Sequence, residues 1–214
     1  MKKILLIGDS IKQGYDKYVA EALKGFAEVY YTNENGRFAE YVLRNLGEWK
    51  KELSLGEDID LVHWNAGLWD SLILYREETL TPLNIYKEYV GRIMRRIKLL
   101  FPKAEIIFAT STPVLEDMFE NPDEGIRYNA DIERFNDAAV SEVAANGGKI
   151  NDLYALLKDA PRSFHSDMTH FYTKEATEII TNQVISGILD CFGVPQNSIK
   201  FDMSQYNGEN AIGY

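Results

Sequence analysis

A serine and a histidine–aspartate pair are the residues of this chain best suited to nucleophilic chemistry. Ser10 follows the apolar run 4–7 in "LLIGDSIKQGY", and Asp167 precedes His170 by three residues in "DMTH". A serine hydroxyl needs a base to accept its proton, and histidine suits that role because its unperturbed pKa is about 6.5. If 167–170 form one turn, Asp167 can orient the His170 ring. These residues are therefore a candidate catalytic triad.

Acyl transfer also requires hydrogen-bond donors for the oxyanion that forms on the attacked carbonyl. Loss of one such donor typically lowers the rate by about 10²–10³. The candidates are the backbone N–H of Ser10, the backbone N–H of Gly36 and the side-chain amide of Asn65. Gly36 has no Cβ, so a carbonyl could approach its backbone closely, and the Asn65 amide donates without carrying charge.

The elements that must position these residues alternate along the chain. Apolar and β-rich runs predict strands at 4–7, 27–33, 59–65, 104–114 and 147–152. Helical spacing predicts helices at 16–25, at 37–53, from the Thr81-Pro82 cap to Pro102, around 132–143, and from Thr173 to Cys191. This alternation predicts a three-layer α/β/α, flavodoxin-like fold with a mainly parallel five-stranded sheet. We expect one catalytic domain, 1–192, followed by a tail, 193–214, that packs on it or extends from it.

The predicted topology brings the candidate residues to one edge of the sheet. In open parallel sheets the working crevice lies beyond the carboxyl ends of the strands. Ser10, Gly36 and Asn65 follow the first three predicted strands, and Asp167 and His170 precede the last helix. We expect all five to converge there.

Four short motifs resemble those of the SGNH or GDSL-type serine hydrolases. They read "GDSIKQG" (8–14), "NENG" (33–36), "HWNAGLWD" (63–70) and "DMTH" (167–170). The resemblance covers most of the chain, up to about Phe192. It implies no metal or organic cofactor.

By this resemblance each candidate residue receives a role. Ser10 is the nucleophile, Asp167 and His170 complete the triad, and Gly36 and Asn65 join the Ser10 backbone in the oxyanion hole. Two motifs depart from the family pattern. The third motif of the family usually reads GxND, and here only its asparagine is present. The motif that contains Gly36 matches the family pattern only loosely.

The expected activity is ester hydrolysis through an acyl-enzyme, with small acyl groups, such as acetyl on carbohydrate, as the leading substrates. Asp9, Trp69 and Asp70 are the candidate substrate-binding residues, and Trp64, Trp69 and Tyr75 are aromatics that could stack on a sugar. Two alternatives remain open: a thioesterase or lysophospholipase that uses the same triad, and a non-catalytic binding module on the same fold.

Composition narrows the classes of partner. The formal charge of -10 disfavours nucleic acid and anionic membranes, and no stretch reaches the ~20 apolar residues that span a bilayer. No cluster has convincing metal-ligand spacing, and no glycine-rich nucleotide loop follows the first strand. A single cysteine and the absence of a visible signal peptide favour a cytoplasmic location. The sequence leaves open whether the chain forms a homo-oligomer.

Overall fold

The computed structural model describes residues 1–208 and contains one five-stranded sheet. The strands are β1 (Lys2–Ile7), β2 (Ala27–Tyr31), β3 (Leu61–Trp64), β4 (Glu105–Ala109) and β5 (Lys149–Asn151). Their order across the sheet is β2-β1-β3-β4-β5, and every neighbouring pair is parallel. The predicted parallel five-stranded sheet is therefore confirmed.

Helices connect the strands and cover both faces of the sheet. They are α1 (Ser10–Gln13), α2 (Asp16–Ala22), α3 (Ala39–Glu52), α4 (Leu83–Leu100), α5 (Asn129–Ala145), α6 (Leu153–Leu157) and α7 (Lys174–Cys191). Helices α3, α4 and α5 pack side by side on one face, and α2 packs against α7 on the other. This is the three-layer α/β/α arrangement that the alternating pattern predicts.

The uninterrupted apolar run of β1 supplies both layers of the core. Successive side chains of a strand point to opposite faces of the sheet. Ile4 and Leu6 accordingly belong to the α2–α7 layer, whereas Leu5 and Ile7 belong to the α3–α5 layer. All four are at most 2% exposed, so a polar residue at any of them would disturb one layer.

Most predicted element boundaries differ from the observed ones by one or more residues, and two of these differences have a clear structural reason. Helix α4 begins one residue later than expected, because Pro82 rather than Thr81 is its N-cap residue. The fourth strand ends at Ala109 rather than continuing to residue 114. The last contact with β5 is the Thr110 N–H to the Asn151 carbonyl at 3.1 Å, and beyond it Asn136 of α5 binds both backbone groups of Ser111, at 2.8 and 3.0 Å.

The segment that follows α7 packs back onto the domain. Phe201 is 4% exposed and lies in the same apolar cluster as α2 and α7, with its ring centroid 4.9 Å from that of Tyr18. The predicted domain boundary at residue 192 stays a prediction, and residues 209–214 of the predicted tail lie outside the described residues. Within residues 1–208 no helix is both long enough and apolar enough to cross a membrane.

Candidate active site

Ser10, His170 and Asp167 form one continuous chain of hydrogen bonds. His170 Nε2 lies 2.8 Å from Ser10 Oγ, and His170 Nδ1 lies 2.8 Å from Asp167 Oδ2. Because the carboxylate accepts the Nδ1 proton, Nε2 is left as an acceptor for the serine hydroxyl. The sequence places the two partners of the serine–histidine contact 160 residues apart, and the fold brings them together.

A tight turn before α7 orients the aspartate. Asp167 Oδ1 accepts the backbone N–H groups of Thr169 at 2.7 Å and His170 at 2.8 Å. Burial acts to raise the pKa of Asp167, but the hydrogen bonds from the His170 side chain and from these two amides outweigh it and lower the pKa to about 2. The carboxylate therefore stays charged over the whole neutral range.

The serine begins the short helix α1 directly after β1. Asp9 is the N-cap residue, and its Oδ1 accepts the backbone N–H of Ile11 at 3.0 Å. A Cβ at Gly8 would collide with the side chain of Asn65, so the turn between strand and helix requires glycine there. The "GDS" motif thus fixes the backbone from which the Ser10 hydroxyl projects.

A buried ion pair fixes helix α1 to the end of strand β2. Lys12 Nζ is fully buried and binds Asp16 Oδ2 at 2.9 Å and the carbonyl of Thr32 at 2.7 Å. Removing either charge would leave its partner unpaired in the core, which typically costs about 3–5 kcal/mol. This pair ties the serine-bearing helix to the end of β2.

Of the three predicted oxyanion donors, the backbone N–H of Ser10 has no acceptor within the described residues. The Asn65 amide lies close enough to the Asp9 carboxyl to lower its pKa, although burial, the larger effect, raises that pKa. The amide therefore lies beside the N-cap of the serine helix.

Gly36 does not fill the predicted role. Its backbone N–H donates to the carbonyl of Gly8 at 2.8 Å and so has no free proton for a substrate oxyanion. A Cβ at this position would stand 2.6 Å from the same carbonyl oxygen. Glycine is required here because two loops cross at close range, which is a structural role rather than an oxyanion contact.

Asp9 and Asp70 also differ from their predicted role as substrate-binding residues. Both side chains are fully buried, and neither lines the cleft beside Ser10. Asp9 caps α1, and Asp70 accepts the backbone N–H of Ala39 at the start of α3 with both oxygens. Burial raises the pKa of Asp70 to about 7. Each carboxylate accepts a backbone hydrogen bond at the N-terminus of a helix. The first N–H groups of a helix have no acceptor within that helix and need one from outside.

An open cleft of about 820 Å³ lies beside the serine. Ser10, His170, Asp167 and Trp69 line it, together with the apolar residues Leu68, Leu72, Met118, Phe119 and Met168. Of the three aromatic residues expected to stack on a sugar, only Trp69 lies here. Trp64 is fully buried against Phe108, at 4.8 Å between ring centroids, and Tyr75 is 73% exposed away from the cleft.

Arg127 is a cleft residue that no sequence pattern indicates. It lines the cleft, donates through Nε to the carbonyl of Leu68, and lies near the carboxylates of Asp9 and Asp167. Burial lowers its pKa to about 10, so it remains cationic at neutral pH. Arg127 comes from the loop before α5 and not from a strand end, which is why an argument based on strand ends passes over it.

The two remaining histidines take structural positions. His63 in β3 is fully buried, its Nε2 is 3.2 Å from Asn151 Nδ2, and burial lowers its pKa to about 3. His165 packs on Phe171 with 4.0 Å between ring centroids. Among residues 1–208 no group of three or more histidine, cysteine, aspartate or glutamate side chains has a geometry suited to a metal ion.

Solved structures with the same architecture are GDSL-like lipases, acylhydrolases and esterases. A lipase/acylhydrolase from Enterococcus faecalis superposes with a TM-score of 0.69 at 20% identity, covering 94% of this chain and 99% of its own. A GDSL-like lipase from Bacteroides thetaiotaomicron gives 0.66 at 17% identity, covering 88% of each chain. The acetyl xylan esterase AlAXEase gives 0.66 at 16% identity, covering 87% of this chain and 99% of its own.

The chain has the GDSL-type hydrolase fold. The resemblance carried by the four motifs is thus confirmed at the level of the fold. No family model matches the sequence, and no curated protein matches it significantly. The protein therefore resembles GDSL-type hydrolases in its three-dimensional structure and in a few short motifs, but not in its overall sequence.

Proposed function

We propose that this protein is a serine ester hydrolase that removes small acyl groups through an acyl-enzyme. The observation that carries the proposal is the hydrogen-bonded chain from Asp167 through His170 to Ser10, with 2.8 Å at each contact, at the side of an open cleft. This arrangement matches the roles of nucleophile, general base and orienting carboxylate. The GDSL-type fold of solved lipases and esterases supports the same activity.

In the first half-reaction Ser10 Oγ attacks the ester carbonyl while His170 Nε2 accepts the hydroxyl proton. Asp167 keeps the ring in the tautomer that leaves Nε2 unprotonated, and it stabilises the imidazolium that forms. The oxyanion is stabilised by the backbone N–H of Ser10 and the side-chain amide of Asn65. His170 then gives its proton to the departing alcohol, which leaves an acyl group on Ser10.

In the second half-reaction water replaces the alcohol. His170 Nε2 accepts a proton from water, and the hydroxide equivalent attacks the acyl carbonyl. Collapse of the second tetrahedral intermediate breaks the bond to Ser10 Oγ, which regains its proton from His170. The products are the carboxylic acid and the free enzyme, and no cofactor enters the cycle.

The leading substrate class is acetyl and other short esters of carbohydrates. Trp69 lines the cleft, where an indole ring can stack on a sugar, and an acetyl xylan esterase shares the fold. The openness of the cleft suits a bulky alcohol portion, because the large part of such a substrate can extend into solvent.

A second candidate is hydrolysis of longer acyl chains by the same triad, as in a thioesterase or lysophospholipase. The apolar residues that line the cleft favour this candidate, since they could cover several methylene groups. Burial of each methylene contributes about 0.8 kcal/mol, so a chain that fits should gain roughly fourfold in affinity per carbon. Acyl chain length therefore discriminates between the two candidates.

Covalent labelling tests the activity itself. Intact protein is treated with a fluorophosphonate probe, alongside Ser10→Ala and the matched control Ser198→Ala in the loop after α7. We expect one adduct on the wild type and on the control, and none on Ser10→Ala. Absence of an adduct on folded wild-type protein would reject the hydrolase and favour a non-catalytic binding module.

Esters of p-nitrophenol with acyl chains of two to sixteen carbons then assign the substrate class. We expect kcat/KM to be highest for acetate or propionate and to fall with length. A maximum at eight carbons or more would replace the small-acyl proposal by the second candidate.

The cytoplasmic location expected from the sequence stays a prediction and is tested by fractionation of cells that produce the native chain.

A further inference from the structure

Tyr172 contacts both members of the serine–histidine pair. Its ring stacks on the imidazole of His170, with 4.8 Å between centroids and 21° between the ring planes. Its hydroxyl donates to the backbone carbonyl of Ser10 at 2.6 Å. One side chain, two residues beyond His170, therefore supports the ring of the proposed base and the peptide of the proposed nucleophile.

The hydrogen bonds of the triad leave one motion of the imidazole weakly restrained. Contacts at Nδ1 and Nε2 fix the two ends of an axis that runs from Asp167 to Ser10. Rotation of the ring about that axis lengthens neither contact greatly, so these two hydrogen bonds oppose it only weakly. An aromatic ring stacked nearly parallel to the imidazole opposes this rotation, because the rings would have to lose their contact.

The position of Tyr172 is itself fixed by Gly14, the last residue of "GDSIKQG". A Cβ at Gly14 would stand 2.7 Å from Cε1 of Tyr172, so the tyrosine ring occupies the space that any other residue would need. Gly14 also ends α1, the helix that carries Ser10. The glycine of the motif thus explains why a large ring can lie directly against the serine helix.

The segment after α7 holds Tyr172 from the other side. The hydroxyl of Tyr206 donates to the carbonyl of Tyr172 at 2.9 Å, and its ring stacks on Tyr18 with 5.7 Å between centroids. Phe201, buried beside Tyr18, anchors the segment to the core. A continuous series of contacts therefore leads from the C-terminal segment to the triad.

We propose that Tyr172 is a positioning residue that fixes the plane of the His170 ring and the Ser10 peptide, and that the Tyr206 hydroxyl holds it in place. This inference rests on the proposed hydrolase activity. It assigns the C-terminal segment a part in organising the site. Its mechanism is orientation, so it predicts a change in kcat with little change in KM.

The test compares Tyr172→Phe, Tyr172→Leu and Tyr206→Phe with the wild type, using p-nitrophenyl acetate well below each melting temperature. Tyr172→Phe keeps the stacked ring and loses the Ser10 contact, so kcat should fall about tenfold. Tyr172→Leu loses both contacts, and kcat should fall about 100-fold. Tyr206→Phe should lower kcat about threefold, with KM within twofold of the wild type in every case.

Tyr154→Phe is the matched control, because its hydroxyl donates to Glu133 on the exposed side of α5. It should keep wild-type kcat. The fluorophosphonate labelling rate should follow the same order as kcat. The inference is overturned if Tyr172→Phe and Tyr172→Leu both retain wild-type kcat, or if phenylalanine is no better than leucine. A wild type that neither hydrolyses ester nor takes the label overturns the proposed function and this inference together.

Discussion

The carboxylate of Asp70 accepts the backbone N–H of Ala39 with both oxygens, at 3.2 and 3.0 Å, although it is fully buried. This contact joins the loop after β3 to the first turn of α3. Burial is the main reason that the pKa of Asp70 rises from 3.8 to about 7, and the nearby Asp9 adds to it. A residue expected in the substrate site is therefore a cap whose charge state changes near neutral pH.

Asp70→Asn should change how stability depends on pH. The folded protein binds the Asp70 proton more tightly than the unfolded chain, so this group's contribution is fully present below pH 4 and is lost as pH rises to about 7. The slope is at most about 1.4 kcal/mol per pH unit. Urea unfolding of wild type and Asp70→Asn between pH 4 and 8 measures how the free energy of unfolding changes with pH. The variant should lack this decline, and identical slopes would contradict the assignment.

Gly36→Ala should destabilise the protein by about 1–3 kcal/mol and lower activity, because the new methyl meets the Gly8 carbonyl at 2.6 Å, two residues from Ser10. The matched control is Gly47→Ala in α3, where a Cβ meets nothing within 4 Å. That change should stabilise by about 0.5–1 kcal/mol because alanine is the better helix former. Thermal unfolding checks both. Equal effects at the two positions would show that the close approach at Gly36 is unimportant.

Trp69→Ala and Trp64→Leu should separate substrate binding from packing. Trp69 lines the cleft, so its loss should raise KM for an acetylated oligosaccharide about tenfold, which corresponds to ~1.4 kcal/mol of binding free energy. The KM for p-nitrophenyl acetate should stay nearly unchanged. Trp64 is buried against Phe108, so its truncation should cost about 3 kcal/mol of unfolding free energy with KM unaffected. Kinetics and urea unfolding on both variants measure these effects. An increase in KM for Trp64→Leu alone would reverse the assignment.

Asp167→Asn should lower kcat by about 10⁴-fold with little change in KM, because an amide facing Nδ1 favours the wrong tautomer of His170. Asp152→Asn is a suitable control, since Asp152 caps α6. Steady-state hydrolysis of p-nitrophenyl acetate by folded variants is the measurement. Near-wild-type turnover by Asp167→Asn would remove the aspartate from the mechanism.

Much of the architecture follows from patterns within short segments. The apolar run of β1 predicts a strand buried on both faces, and α7 begins next to Thr173 as expected, with the Thr173 hydroxyl accepting the Ala176 N–H. Ser10 directly follows β1 and His170 shortly precedes α7, and parallel topology brings strand ends and the starts of the following helices to one edge of the sheet. These features depend on local periodicity and on general rules of chain connection.

The parts that sequence reasoning missed depend on contacts between distant loops. Gly36 was expected to be a donor for substrate, but its N–H is taken by Gly8, a pairing that no spacing reveals. Trp64 and Asp70 belong to motifs next to the site, yet both side chains point into the core. Arg127 reaches the cleft from the loop before α5, which does not directly follow a strand. Side-chain direction and loop packing decide these cases, and neither is periodic.

The separation of Ser10 and His170 by 160 residues bears on when the site comes into existence during translation. At 5–20 residues per second, the ribosome adds the histidine roughly 8 to 30 s after the serine. Over that interval the nascent chain carries the hydroxyl but not the imidazole beside it. The hydroxyl therefore lacks its proposed base until nearly the whole described domain has been made.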